Sequence, residues 1–334
     1  MAGARRQPRT LRTDDVSGNT ATCALVKVYV GVTDRDWYEF LRQRPGTDEV
    51  NFWQPSGGRR FGAIGPGDLF LFKLHYPDNM IVGGGTFVSF DSFPAWLVWD
   101  AFQDKNGARS YDEMCRRIQR YRKTRMSIAG TEQIGCVILG DPFFLSETDW
   151  IPAPADWAPN IVQGKTYDSA TSVGSDLIQA VIARRVAPTF APTTAAVVAS
   201  GPMFSDPVLG RRRLGQGTFR LLVVDAYGRQ CAVSREKALP VLESAHIRPV
   251  TQGGDHRVDN GLLLRSDIHT LFDRGYVTIT PAGIFRASRR LKDDYDNGEP
   301  YYALEKVPVT FPVRASARPS PEFLTWHNDI VYLG

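Results

Sequence analysis

The sequence predicts a mixed α+β protein made of two domains, on three observations. Its 334 residues amount to about two domains at ~150 residues each. The first half reads as strands, then helices, then a strand, an order typical of α+β folds. A Pro- and Ala-rich stretch over 187–196 then gives way at Arg211-Arg212-Arg213 to a second, basic composition.

The elements follow in order. Residues 1–24 are polar and aperiodic, and are read as a disordered basic arm. Leu25–Val32 is β-branched and predicts a strand. Thr33-Asp-Arg-Asp36 has the form of a capping box opening a helix through Phe40. After a glycine-rich turn come strands at Leu69–Leu74 and Met80–Val88, the second carrying Gly83-Gly84-Gly85, which suits a bulge or a close backbone approach. Helices are expected at 94–104 and 110–124, the latter capped by Ser110 and running into a basic stretch that ends at Arg125. Ile134–Leu139 returns to strand, and the prolines over 141–160 mark a wrapping loop. The domains are therefore read as 25–168 and 210–334, joined over 169–209 by a linker that holds a helix at 175–186.

Composition excludes several classes of protein. Apolar residues make up 43% and charged residues 23%, so the chain as a whole is not disordered. No stretch approaches the ~18 uninterrupted apolar residues of a membrane span. Arg5, Arg6, Arg9 and Arg12 have no apolar segment behind them, as a secretory signal would. Cys23, Cys115, Cys136 and Cys231 form no C-x-x-C pair, which argues against structural zinc and disulfides and for a reducing, cytoplasmic setting. Net charge is only +4, yet over 211–292 basic residues outnumber acidic ones about two to one. A phosphate-binding surface is expected there, with Arg211, Arg212, Arg213, Arg248, His256 and Arg257 as candidates.

The chemistry concentrates in one segment. His246 ends an apolar strand, a turn-rich loop holds Gly253-Gly254 and His256, Asn260 precedes a short strand over Gly261–Leu264, and Ser266 is read as the N-cap of a helix carrying His269. A hairpin packed on a short helix would bring His246 and His269 together. The spacing of thirteen residues from His246 to Asn260 and eight from there to His269, with the words AHI-P, GG, DNGLLLRSDIH and LFDRGYVTI, resembles the HNH, or ββα-metal, nucleases. The likeness extends over about 210–334, including the tail PSPEFLTWH.

That resemblance implies phosphodiester hydrolysis. His246 would be the general base, a role suited to an imidazole with pKa near ~6.5. His269 would hold a single divalent ion, Mg²⁺ or Mn²⁺, with Asp267, Glu243 or Asp273 as candidate second ligands, or with water and phosphate as its main other ligands, since Ala245 stands where many members of the family carry one. Asn260 would fix the loop that orients His246. His256 is read as a phosphate contact, and His327 as a packing residue.

The front half has a weaker likeness. LVKVYVGV, TDRDWYEFL, VNFWQPSGG and IGPGDLFLFKLHYPDNMIVGGGTFV resemble the PUA-like (EVE and ASCH) families, small β-barrels of which several hold a flipped modified base between aromatic walls. Trp37, Trp53, His75 and Tyr76, with Phe52 and Lys73, are the pocket candidates. The polar run Asn160–Tyr167 is read as a second DNA contact or a hydrogen-bonded seal. The two resemblances together imply a bacterial, modification-dependent (type IV-like) restriction endonuclease acting on double-stranded DNA with modified cytosine, a homodimer being left open. Two alternatives are a nuclease on unmodified nucleic acid with an effector-sensing front domain, and a non-catalytic DNA-binding protein of HNH fold.

Overall fold

The computed structural model describes residues 26–57, 61–127, 130–185 and 214–334. The basic arm, the Pro- and Ala-rich stretch and Arg211, Arg212 and Arg213 lie outside these residues. Among the described residues no helix is long and apolar enough to cross a membrane.

Side-chain alternation organises the front half. Its elements are β1 (Lys27–Thr33), α1 (Arg35–Arg42), β2 (Glu49–Gln54), β3 (Leu69–Leu74), β4 (Met80–Pro94), α2 (Ala95–Phe102), α3 (Tyr111–Gln119), β5 (Gln133–Phe144), β6 (Ile151–Pro152), β7 (Gly164–Asp168) and α4 (Ser172–Arg185). The strands form one sheet in the order β2-β5-β4-β3-β1-β7, with β6 on β4. The β1–β3 pair is parallel and the other ladders are antiparallel. Register shifts at Gly84/Thr86 and Phe87/Ser89 interrupt the long β4, and bulges of this kind bend a strand.

Successive residues on these strands point to opposite faces. Tyr29, Phe52, Phe70, Phe72, Val82, Val137 and Leu139 meet in one inner core closed by Trp37, Tyr38 and Leu41 of α1. The outer faces are covered separately. Val28, Val30, Leu69 and Leu71 pack with Leu177, Ile178 and Val181 of α4, a helix the sequence reading had left in the linker. Ile134, Cys136 and Ile138 pack with Leu97, Val98 and Phe102 of α2 and with Met114 and Ile118 of α3. A barrel-like wall around one core is thus present, although among the described residues no ladder joins β2 to β7.

The second half comprises α5 (Gln216–Ala226), β8 (Leu242–His246), β9 (Gly261–Arg265), α6 (Ser266–Asp273), β10 (Val277–Ile279), β11 (Phe285–Ala287), α7 (Arg290–Tyr295), α8 (Glu299–Tyr302) and α9 (Pro321–Ile330). Its core is continuous with the outer face of β5: Phe219, Leu221 and Val224 belong to the same cluster as Val98, Phe102 and Cys136. Arg229 adds a hydrogen bond from Nη2 to the Ser92 carbonyl at 2.5 Å. His327, 2% exposed, stacks on Phe272 with ring centroids 3.6 Å apart, and its two ring nitrogens meet Thr278 Oγ1 and the Phe272 carbonyl. It is the packing residue the sequence suggested.

Two caps differ from expectation. Asp34, not Thr33, is the N-cap of α1 and makes no side-chain cap bond. Its carboxylate is used by Tyr121, whose hydroxyl donates to Oδ1. Ser266 is the first residue of α6, after an N-cap at Arg265, and makes no side-chain cap either.

Candidate active site

The β8–β9 hairpin is in register with His246 opposite Gly261, so His246 stands where β8 runs into the connecting loop. The loop between the strands is tied by Asn260, which is fully buried. Its Oδ1 accepts from the Arg248 N–H at 2.9 Å, and its Nδ2 donates to the carbonyls of Arg248 and Asp255, both at 2.9 Å. Its own carbonyl accepts from the Ile247 N–H at 2.9 Å. The side-chain amide satisfies three polar groups of the loop and the main-chain carbonyl a fourth. Only glycine fits at 254, where a Cβ would lie 1.9 Å from the Arg248 carbonyl oxygen.

His246 lies flat on Phe219 of α5, with centroids 3.9 Å apart and planes 11° from parallel. Its Nε2 faces Nδ1 of His256 at 3.0 Å. Burial, then the neighbouring His256 and His269, push its pKa down to about 4. The ring is therefore uncharged at neutral pH, with one nitrogen carrying the lone pair that can accept a proton. His256, expected on phosphate, sits against His246 instead. Of the expected phosphate contacts, Arg257 pairs with Asp259, its Nε 2.9 Å from Oδ1, and Arg248 donates to the Gln252 carbonyl at 2.7 Å and lies over the Trp326 ring.

His269 projects from α6 between two carboxylates. Nδ1 is 2.6 Å from Glu243 Oε2 on β8, and Nε2 is 3.3 Å from Asp273 Oδ2 one turn on. Asp267, the ligand preferred on sequence, is not part of this group. Residues two apart on a helix do not face each other, whereas those four apart do. The Asp267 carboxylate is held by Arg265 in two bonds of 2.6 and 2.8 Å and accepts from Tyr301 at 3.2 Å. Among the described residues no three His, Cys, Asp or Glu side chains enclose an ion unaided. The two carboxylates sit on opposite ring nitrogens, so at most one ring nitrogen and the carboxylate beside it can face a hard divalent cation, with water and phosphate oxygens as its remaining ligands.

A second site lies in the front half. Trp37, Phe52, Trp53 and His75 line a cleft of about 640 Å³, as the sequence suggested. Trp37 is a floor residue, 1% exposed and edge-on to Phe52 and Phe72. Tyr76 is excluded: it follows the end of β3 and is 88% exposed. Lys73 is also excluded. Its Nζ is buried, donates to the Leu74 carbonyl at 3.0 Å and lies over the Trp157 ring. Sequence reasoning missed Asp34, Tyr121, Arg122 and Lys123. Tyr121 lies nearly parallel to His75 and donates to Asp34, which is 3.7 Å from His75 Nε2. The basic run after the second helix was the available signal for Arg122 and Lys123. Val162 and Gln163, from the polar run 160–167, complete the rim.

Comparison with known proteins agrees with the hairpin reading. Residues 231–280 match the family model described as HNH endonuclease. The C-terminal half therefore contains an HNH domain. Among solved structures, the ASCH protein of Zymomonas mobilis is similar at 11% identity and a TM-score of 0.30, over 46% of this chain and 94% of that one. A point mutant of that protein is similar at the same score and identity, over 96% of its own length. No curated protein matches the chain.

Proposed function

We propose that this protein is a modification-dependent DNA endonuclease, a restriction enzyme directed at foreign DNA in the bacterial cytoplasm. The convergence of His246, Asn260 and His269 on one hairpin and helix carries the nuclease part. His246 accepts the proton of the attacking water. A base with so low a pKa is always available but weak, so the imidazolium it forms must be stabilised by a nearby anion. The scissile phosphate is that anion, and its approach raises the pKa of His246 in the complex. His269 Nε2 with Asp273 would hold Mg²⁺ or Mn²⁺ together with water and phosphate oxygens, and Glu243 on Nδ1 would orient the ring; the ion when bound supplies charge neutralisation at the phosphate and at the leaving 3′ oxygen. Asn260 keeps His246 aligned, and Arg248 supports the DNA backbone.

The front cleft is proposed as the reader. Flat walls from Trp53, Phe52 and Tyr121 suit an extruded base, whose stacking is worth ~1–3 kcal/mol, while extrusion costs a few kcal/mol. Gln54 and Thr33 offer edge hydrogen bonds to offset that cost, and Lys123 would meet a flanking phosphate.

The test is cleavage of plasmids carrying methyl-, hydroxymethyl- or glucosylated cytosine beside an unmodified plasmid, by wild type and by His246→Ala. Cleavage of one modified class that His246→Ala abolishes is the expected result. Equal cleavage of every plasmid would remove the reader, and an active His246→Ala would remove the base.

A further inference from the structure

Glu49 is a charged side chain on β2 that the nuclease chemistry does not touch, yet it is only 1% exposed. A buried carboxylate is costly unless its charge is met by cations and hydrogen bonds. It is met from the other half of the molecule. Oε1 accepts from the Gly217 N–H at 2.9 Å, and Oε2 accepts from the Thr218 N–H at 3.0 Å and from the Thr218 hydroxyl. Lys105 Nζ lies 3.2 Å from Oε1. These amides are orphan donors of the first turn of α5, so a side chain from about 170 positions earlier does the work of a local N-cap and meets the positive end of the helix dipole. Gly215 allows the approach, since a Cβ there would lie 2.1 Å from the Glu49 carboxyl carbon.

The anchored turn leads straight to the nuclease site. Phe219, next after Thr218, is the ring on which His246 stacks. Ser244 on β8 donates to the carbonyl of Arg220 at 3.0 Å, tying the same turn of α5 to the strand that bears the base. At the other end of β2, Phe52, Trp53 and Gln54 line the front cleft. One six-residue strand therefore forms part of the cleft wall and holds the helix beneath the base.

We propose that Glu49 is a positioning residue for cleavage: by anchoring the N-terminus of α5 from the front half it sets the seat of Phe219, so the nuclease site is completed only by contact with the reader. This rests on the assignment of His246 as the base. Displacing a reacting group by about 1 Å can cost on the order of 100-fold in rate, so the effect belongs in the chemical step rather than in DNA affinity.

The experiment uses the full-length protein, with single-turnover cleavage of a substrate duplex, DNA affinity, and the NMR shifts of the His246 ring protons, which the face of Phe219 moves upfield. Glu49→Gln should slow cleavage by about tenfold to 100-fold with affinity within about twofold, and should relax the upfield shift. Phe219→Leu should slow cleavage similarly, and the double variant should be no slower than the slower single one, because both act through one contact. Additive losses, or a wild-type rate in Glu49→Gln, overturn the proposal. Should Glu49→Gln fail to fold, Thr218→Val removes one bond from the helix side. It should give a smaller loss, again not additive with Phe219→Leu, and a wild-type rate there is equally fatal. His246→Ala separates the two levels. If it still cleaves, the assignment of the base has failed. If it is inactive while Glu49→Gln and Thr218→Val cleave normally, only the role of Glu49 has failed.

Discussion

The nuclease hairpin and the front cleft are built in opposite ways. His246, His256, Asn260 and His269 fall within one short segment, and the Asn260 side-chain bonds that shape the loop reach no further than 12 positions. The cleft takes its walls from five separate stretches, around 32–37, 52–56, 75, 121–124 and 162–163. A site closed by local hydrogen bonds depends on the identity of a few residues. A site closed by a whole sheet depends on packing, so its individual members can change with graded effects. The hairpin should therefore fail abruptly when altered, and the cleft by degrees.

The largest effect is expected from the ion. Chelation with EDTA should bring cleavage to background, and Mg²⁺ or Mn²⁺ should restore it, because the carboxylates around His269 leave the phosphate charge otherwise unopposed. Glu243→Ala should raise the metal concentration required, whereas Asp267→Ala should not. A metal dependence moved by Asp267→Ala and not by Glu243→Ala would exchange their roles.

Next comes the base. His246→Ala should lower the cleavage rate by about 10²–10⁴-fold with DNA binding retained, the usual range for general-base assistance. The pH profile sharpens this. In the free protein the pKa of His246 is pushed down to about 4, so the acid limb of kcat/KM should lie well below pH ~6.5. The limb of kcat, which reports the DNA complex, should lie higher, because the bound phosphate favours the imidazolium. Coincident limbs would show that the phosphate does not stabilise the charged base.

The same contrast explains what could be read from sequence. The hairpin was legible because a fixed spacing of polar residues inside an apolar frame specifies local geometry. Its errors were of side-chain direction: Asp267 was preferred over Asp273 although only an i,i+4 partner faces His269, and His256 was assigned to DNA. In the cleft, Trp37, Trp53 and His75 were legible as aromatic or polar residues on or beside predicted elements. Tyr121 was not, since its contact with Asp34 crosses 87 positions. Glu49 was least legible of all, because a glutamate in a strand reads as surface and nothing near it in sequence announces the helix it caps.

For the cleft the expected effects are graded. Trp53→Ala and Tyr121→Ala should each reduce the preference for modified over plain duplex by about five- to 100-fold, the equivalent of losing ~1–3 kcal/mol of stacking. The change should appear in the affinity for modified DNA and leave single-turnover cleavage of bound substrate nearly intact. An effect confined to cleavage of bound substrate, with the preference unchanged, would place these rings in the fold rather than in recognition.

The smallest effect separates two histidines that share one physical setting. His246 and His327 each lie on a phenylalanine, and burial pushes the pKa of both down to about 4. His327 spends its nitrogens on Thr278 and the Phe272 carbonyl, so it can affect only stability. In the unfolded chain it titrates near ~6.5. Its folded value is the lower one, so between these limits the unfolded state binds the extra proton, and stability is full above pH ~6.5 and lost as pH falls towards 4. Lowering the pH from 7 to 5.5 should cost about 1 kcal/mol at this residue, read as a lower urea midpoint. His327→Gln removes the titration while offering the pocket one donor and one acceptor. It should lower stability at both pH values yet shrink the difference between them by that amount. Comparing the two differences cancels other titrating groups, including Asp225, which burial and the adjacent Asp91 raise to about 6 and which acts with the opposite sign. An undiminished pH dependence in His327→Gln would mean that His327 is protonated as readily in the folded protein as in the unfolded chain.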